Sequence, residues 1–159
     1  MPQKTSVTGS ALEIRIADPE VEQPLAEFFS ALRCEGDEVH FHPHPLTPEE
    51  AHRLCTYTGK DLYYVLIEEG QVLGYGMLRG WDEGFDIPSL GIAVRRSARG
   101  YGLATLLMKL LHTAAYRRGS RQVILKVYKD NLPARQLYEH LGYTFENEID
   151  GQLLGRINL

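Results

Sequence analysis

The chain has 159 residues, 43% hydrophobic and 24% charged, with 15 glycines and 8 prolines. That length supplies one sizeable core, and the composition excludes collagen-like, low-complexity and wholly disordered chains. A net charge of −4 argues against a general nucleic-acid binder or a polybasic membrane-surface protein.

Residues 1–11 are polar and lack the apolar run of a secretory signal, and no window approaches the ~20 apolar residues of a membrane span. A short leader, a single domain over residues 12–159 and a cytoplasmic location are expected. Leu12 to Ala17 alternates apolar and polar and predicts a strand. Asp18 then stands as N-cap before Pro19, and Val21, Leu25, Phe28, Phe29 and Leu32 recur at helical spacing. A His/Pro-rich loop, Val39 to Leu46, precedes a second helix opened by the capping-box pattern Thr47-Pro48-Glu49-Glu50.

Leu62 to Glu68 and Val72 to Arg79 predict two strands in a hairpin across Glu69-Gly70. Ser89 to Val94 is a short apolar strand in which Gly91 suggests a bulge. Apolar positions 103, 106, 107, 110, 111 and 114 form one face of a long helix ending at Gly119. Gln122 to Tyr128 is the next strand, and Ala134, Leu137, Tyr138 and Leu141 mark a helix closed by Gly142. A terminal hairpin covers Tyr143 to Asp150 and Leu153 to Leu159. The order β-α-α-β-β-β-α-β-α-β-β describes one mixed sheet with helices on its faces. Cys34 and Cys55 both fall in helical stretches and are read as small buried apolar residues in a reducing compartment.

Nine Lys or Arg and no Asp or Glu lie between Arg95 and Lys129, so the rest of the chain carries −13. Within that block, Val94 to Ala104 is a strand end, a basic glycine turn and a helix start. Such a turn presents unpaired N–H groups and the positive end of a helix dipole, which suits phosphate. It is not a P-loop, because no Gly-Lys-Ser/Thr follows, and Thr105 stands where a dinucleotide fingerprint needs its third glycine. The alternative is a glycine turn with solvated arginines.

Two patterns stand in order along the chain: Arg99-x-x-Gly102-x-Ala104, then Asn131-x-x-Ala134-x-x-Leu137-Tyr138-x-x-x-Gly142-Tyr143. On these residues the chain resembles the GNAT superfamily of acyl-CoA-dependent N-acyltransferases, and the element order is similar over nearly the whole chain from Leu12. The resemblance implies an α/β (α+β) fold. It has a mixed, mostly antiparallel sheet of about seven strands, about four flanking helices and a splayed, bulged fourth strand at Leu90 to Val94. It implies acetyl-CoA as co-substrate; no metal is expected. The amides of Ile92 and Val94 would pair with the pantetheine arm, and one nearby amide would polarise the thioester carbonyl. The amides of Arg99, Gly100, Tyr101, Gly102, Leu103 and Ala104 would take the pyrophosphate. Asn131 would contact the pantetheine arm or serve as a plain N-cap.

Tyr138 would protonate the departing thiolate, since a phenol keeps its proton at neutral pH; the alternative is a core position on the stripe of its helix. A primary amine is only about 0.1% neutral at pH 7, so a base, a water chain or a depressed amine pKa is needed. Asp86 is the residue chosen, against a solvated acidic loop with Asp82 and Glu83. His40, His42 and His44 pose a zinc site, a solvated loop or, with Trp81, a surface for the acceptor. The implied reaction is acetyl transfer to a primary amine of a small acceptor, an amino sugar or polyamine, by direct attack in a ternary complex. A protein lysine or N-terminal acceptor, and a non-catalytic acyl-CoA-binding module, are the alternatives. No nucleic-acid or membrane partner is expected; homodimers are common among similar proteins.

Overall fold

The computed structural model describes residues 10–159, so residues 1–9 of the expected leader lie outside it. Strands β1 (Glu13–Ile16), β2 (Leu62–Glu68), β3 (Gln71–Arg79), β4 (Ser89–Val94), β5 (Gln122–Tyr128), β6 (Thr144–Ile149) and β7 (Gln152–Asn158) form one sheet in the order β1-β2-β3-β4-β5-β7-β6. Helices α1 (Glu22–Cys34) and α2 (Pro48–Cys55) cover one face; α3 (Leu103–Arg117) and α4 (Leu132–Leu141) cover the other. Among the described residues no helix is long and apolar enough to cross a membrane.

The local signals work as their chemistry requires. Asp18 accepts from the Glu20 amide, and Thr47 Oγ1 accepts from the Glu50 amide at 3.1 Å, satisfying N–H groups that the first turn leaves open. Val21, Leu25, Phe28, Phe29 and Leu32 are all buried in α1 and its entry turn. In α3 the buried set is Leu107, Met108, Leu111 and Ala115, rotated from the predicted face; Leu106 is exposed. The helix is apolar over much of its circumference, so periodicity alone does not orient it. Cys55 is buried, but Cys34, the last residue of α1, is exposed; both thiols are free.

Two features fix α3 against the sheet. A Cβ on Gly74 would lie 3.0 Å from Leu66 Cδ1 and 3.1 Å from Leu107 Cδ1, and one on Gly76 would lie 3.0 Å from Leu111 Cδ1. The bare backbone of β3 is therefore the floor on which α3 rests. The bulge predicted at Gly91 is absent from the β3–β4 ladder, which runs without interruption from Gly74↔Val94 to Arg79↔Ser89. Gly91 instead makes room for Met77, whose Cε would stand 2.6 Å from a Cβ there. The irregularity lies on the other edge: β4 pairs with β5 through Ser89↔Ile124 alone, in parallel, and the two strands then splay.

His44 is part of the core rather than of a loop surface. Its ring packs on Phe29 and Tyr75 with centroids 5.4 and 5.7 Å away. Pro45 O accepts from Nδ1 at 2.8 Å, so Nε2 accepts the Tyr75 hydroxyl at 2.9 Å. His112 on α3 is half-buried with Nε2 2.6 Å from Tyr143 Oη.

Replacing Gly76 by Val is expected to destabilise the fold by about 1–3 kcal/mol through overpacking against Leu107 and Leu111. That exceeds the roughly 0.5–1 kcal/mol gained when glycine leaves a strand. Urea unfolding measures it, and an unchanged midpoint would mean that α3 lifts freely. Burial also holds the imidazoles of His44 and His112 below their ordinary range. The unfolded chain then binds more protons, so the stability they lend is complete above about pH 6.5 and is lost as pH falls through the lower folded values. The melting temperature should drop between about pH 7 and pH 5.5, and less steeply in the His44→Gln/His112→Gln variant. An equal slope in that variant would assign the acid sensitivity to other groups.

Candidate functional site

The splay between β4 and β5 opens a cavity of about 310 Å³. Its walls include Leu90 to Val94 of β4, Lys126 and Val127 of β5, and Pro133, Ala134, Leu137 and Tyr138 of α4. The Arg95 amide donates to Leu73 O at 2.7 Å, toward β3. Strand alternation then turns the amides of Ile92 and Val94 toward β5, where no ladder partner remains. The Val94 carbonyl on that edge accepts from Arg99 Nε at 3.0 Å.

At one end of the cavity stands the N-terminus of α3. Gly102 is its N-cap at φ 82, a left-handed conformation that a side chain disfavours, and it brings no capping side chain. Leu103 and Ala104 open the helix, so their amides are among the uncapped donors. Arg99 and Ala104 line the cavity, whereas Gly100, Tyr101 and Gly102 form the turn and Leu103 the helix start beyond it. The Tyr101 side chain is 80% exposed and borders a separate depression with Leu12, Leu73 and Leu103. Arg96 and Arg99 both reach Asp37, at 3.2 and 3.1 Å. Arg118 instead lies over Trp81 and Arg121 over Tyr116, at the far end of α3.

Tyr138 is 8% exposed and lines the cavity, and burial pushes its phenol up to about 12. Among the described residues no hydrogen bond engages its hydroxyl. Its neighbour Tyr143, with ring centroids 5.8 Å apart, is tied to His112 and is also raised by burial. Asn131 lines the cavity too, and its side chain accepts from the Ala134 amide at 3.4 Å, so the N-cap alternative is realised.

A second cavity of about 270 Å³ adjoins the first, sharing His40, Phe41, Leu90, Gly91 and Lys126 with it. Met77, Arg79, Ser89, Tyr128 and Gln152 complete much of its wall. His40 and His42 both pack on the Tyr128 ring, and His42 Nε2 lies 2.6 Å from its hydroxyl. His40 Nε2 lies 3.1 Å from Asp130 Oδ1.

Asp86 is not brought to Tyr138. It lines a depression with Trp81, Arg118, Ser120 and Arg121, and its carbonyl accepts from Ser120 Oγ at 3.2 Å. Asp86 precedes Ser89, at the end where β4 and β5 are still paired, so the acidic loop faces the closed end of the splay. Asp82 is likewise engaged locally, accepting from Tyr57 and from the Lys60 amide. Trp81 follows Asp86 away from the acceptor surface expected for it, and His44 leaves it for the core. Among the described residues no three His, Cys, Asp or Glu converge for a metal. Arg79, Lys126, Tyr128 and Asp130 were not distinguished as site residues from sequence. For Arg79, Lys126 and Tyr128 the signal is register: in β3 and β5, alternate residues point to the open cleft once the sheet order is known; Asp130 lies in the turn after β5 and enters only through His40.

Residues 26–143 match the model of the Acetyltransferase (GNAT) family. An uncharacterised N-acetyltransferase of Methanocaldococcus jannaschii is 31% identical over 83 residues, 51% of this chain and 51% of that protein. The chain thus spans about half the length of the curated relative it matches. The GNAT domain of S. lividans PAT superposes with a TM-score of 0.80 at 18% identity, covering 93% of this chain and 90% of that one. The PaiA N-acetyltransferase of Thermoplasma acidophilum, solved in complex with coenzyme A, gives 0.75 at 13% identity over 94% and 99%. These likenesses show the fold. The family match runs from within α1 to just beyond α4 and so takes in the splay, the turn before α3 and Tyr138. The chain belongs to the GNAT acetyltransferase family.

Proposed function

We propose that the chain transfers an acetyl group from acetyl-CoA to a primary amine of a small acceptor, by direct attack in a ternary complex. The observation that carries this is the buried phenol of Tyr138 in the same cavity as the open amide edge of Ile92 and Val94 and the uncapped start of α3. The pantetheine arm adds to β4 as a strand would, and the amides from Arg99 to Ala104 take the pyrophosphate. Asn131 stays at its cap and presents its remaining polar atoms to the arm. The coenzyme A bound by the Thermoplasma neighbour supports this placement at the level of the fold.

His40 replaces Asp86 as the base. It lines both cavities, and a carboxylate that accepts its Nε2–H leaves a lone pair on Nδ1 for the amine proton. The amine nitrogen attacks the thioester carbon and its proton passes to His40. An amide on the open edge of β4 receives the developing oxyanion. The C–S bond then breaks, and Tyr138 gives its proton to the sulfur. The apolar wall that raises the phenol also disfavours a buried thiolate, so the two remain matched for proton transfer. Neither Cys34 nor Cys55 lines these cavities, which supports direct attack over an acyl-enzyme. A cavity of about 270 Å³ suits a small acceptor better than a folded protein segment.

Tyr138→Phe is expected to lower kcat by about 100-fold or more with little change in the KM for acetyl-CoA, as measured by CoA thiol release. An unchanged kcat would remove Tyr138 from the chemistry. Because the acid keeps its proton until pH approaches about 12, kcat should show no alkaline fall that traces to Tyr138 below about pH 10. His40→Gln should lower kcat/KM by about 10-fold or more at pH 7 and less at pH 9.5, where about a quarter of the amine is already neutral. Binding of acetyl-CoA without thiol release over a broad amine panel would favour the regulatory module instead.

A further inference from the structure

The acceptor-side cavity carries two cations and, among the described residues, no Asp or Glu in its lining. Arg79 ends β3 opposite Ser89, and Lys126 lies in the middle of β5. Arg79 is half-buried and donates from Nη1 to Pro43 O at 3.1 Å, leaving most of its five N–H groups without a partner among the described residues. Acidic groups on the surrounding elements are engaged elsewhere. Asp130 holds His40, Glu50 is gripped by Arg53, and Asp37 lies between Arg96 and Arg99.

A half-buried guanidinium with free donors is suited to a carboxylate, which it binds through two parallel hydrogen bonds. A polyamine would meet two like charges in the lining, while the Asp130 carboxylate beside it is already engaged by His40, and such juxtaposition disfavours it. The acidity of the chain outside its basic block is therefore not acidity at the acceptor site. Spacing narrows the class further. Ser89, beside Arg79, and Gly91, where the two cavities join, are two strand residues apart, about 7 Å.

We propose that the acceptor is a small amino acid whose carboxylate sits on Arg79 and Lys126 and whose amine, a few bonds away, faces the thioester. This inference rests on the acetyl-transfer function proposed above. An N–C bond forms and the C–S bond breaks; the amine proton leaves to His40, the sulfur takes one from Tyr138, and the carboxylate is unchanged.

The test is CoA thiol release from acetyl-CoA by the whole chain with matched acceptors. These are α-, β- and γ-amino acids, their carboxamides, the decarboxylated amines, spermidine, glucosamine and a short peptide with a free N-terminus. The best amino acid should exceed its own carboxamide by about tenfold or more in kcat/KM, and this ratio should shrink as salt is raised. Arg79→Gln should reduce the ratio to within about threefold, while Arg79→Lys retains part of it. Lys126→Gln, at an exposed position, gives an independent reduction of the ratio if Arg79→Gln fails to fold. A carboxamide, spermidine, glucosamine or the peptide used as well as the best amino acid would overturn the inference and leave acetyl transfer standing. Thiol release with none of the amines would overturn the acetyl-transfer function itself.

Discussion

The parting of β4 from β5 after one pair, Ser89↔Ile124, is the constraint on which the rest of the site depends. Both strands are firmly held on their outer edges, β4 by six consecutive pairs with β3 and β5 by seven with β7. Each is therefore committed to its own half of the sheet. An unpaired buried amide costs about 1–3 kcal/mol, so a closed interior would not tolerate the gap. It persists because the gap is a cavity and because side chains fill its flanks: Leu137 and Tyr138 from α4, Ala104 from α3. At its mouth the Val94 carbonyl is satisfied by Arg99.

What holds that gap in place is the seating of α3 on glycine. Leu107 and Leu111 approach the β3 backbone so closely that a Cβ on Gly74 or Gly76 would force them to shift, which fixes where the helix starts as well as where it lies. The helix start is the end of the cavity. Burying Leu107, Met108 and Leu111, at about 2 kcal/mol each, stabilises the fold and by the same contacts aims the uncapped amides of the first turn. Core packing and site geometry are one set of contacts here, so a change that loosens α3 also moves the turn before it.

The elements were legible because their signals are local: caps at Asp18 and Thr47, alternation in β2 and β3, and glycine after α3 and α4. The residues proposed for the cofactor could be picked out for the same reason, since the turn before α3 and the helix carrying Tyr138 are each continuous stretches of chain. Those of the second cavity could not. Arg79, Lys126, Tyr128 and Asp130 come from strands β3 and β5 and the turn after β5, and no spacing along the chain links them to His40. Asp86 was misplaced because its position before β4 says nothing about which end of the splay is open. Gly91 was misread because a glycine in a strand marks close approach as readily as a bulge, and here Met77 is what approaches.

The segment from Asp37 to His44 shows why a stretch with no periodicity nevertheless takes one path. It has almost no regular structure beyond a single turn of 3-10 helix at Asp37–Val39. Its order comes from partners spread over the sheet. Asp37 is fixed by Arg96 and Arg99 before α3, His40 by Asp130 and His42 by Tyr128 at the end of β5. Pro43 O is held by Arg79 and His44 by Tyr75, both on β3. These partners lie on opposite sides of the splay, so the segment bridges it. Each bond alone contributes about 0.5–1.5 kcal/mol, too little to order eight residues whose backbone entropy is of order 1–2 kcal/mol apiece. The alternate prolines shrink that entropy before folding begins, and Phe41 packed against Tyr75 adds apolar burial. His40 and His42 are thus positioned by the same bridge that walls the second cavity. That makes the His/Pro composition a means of placing side chains across the cleft.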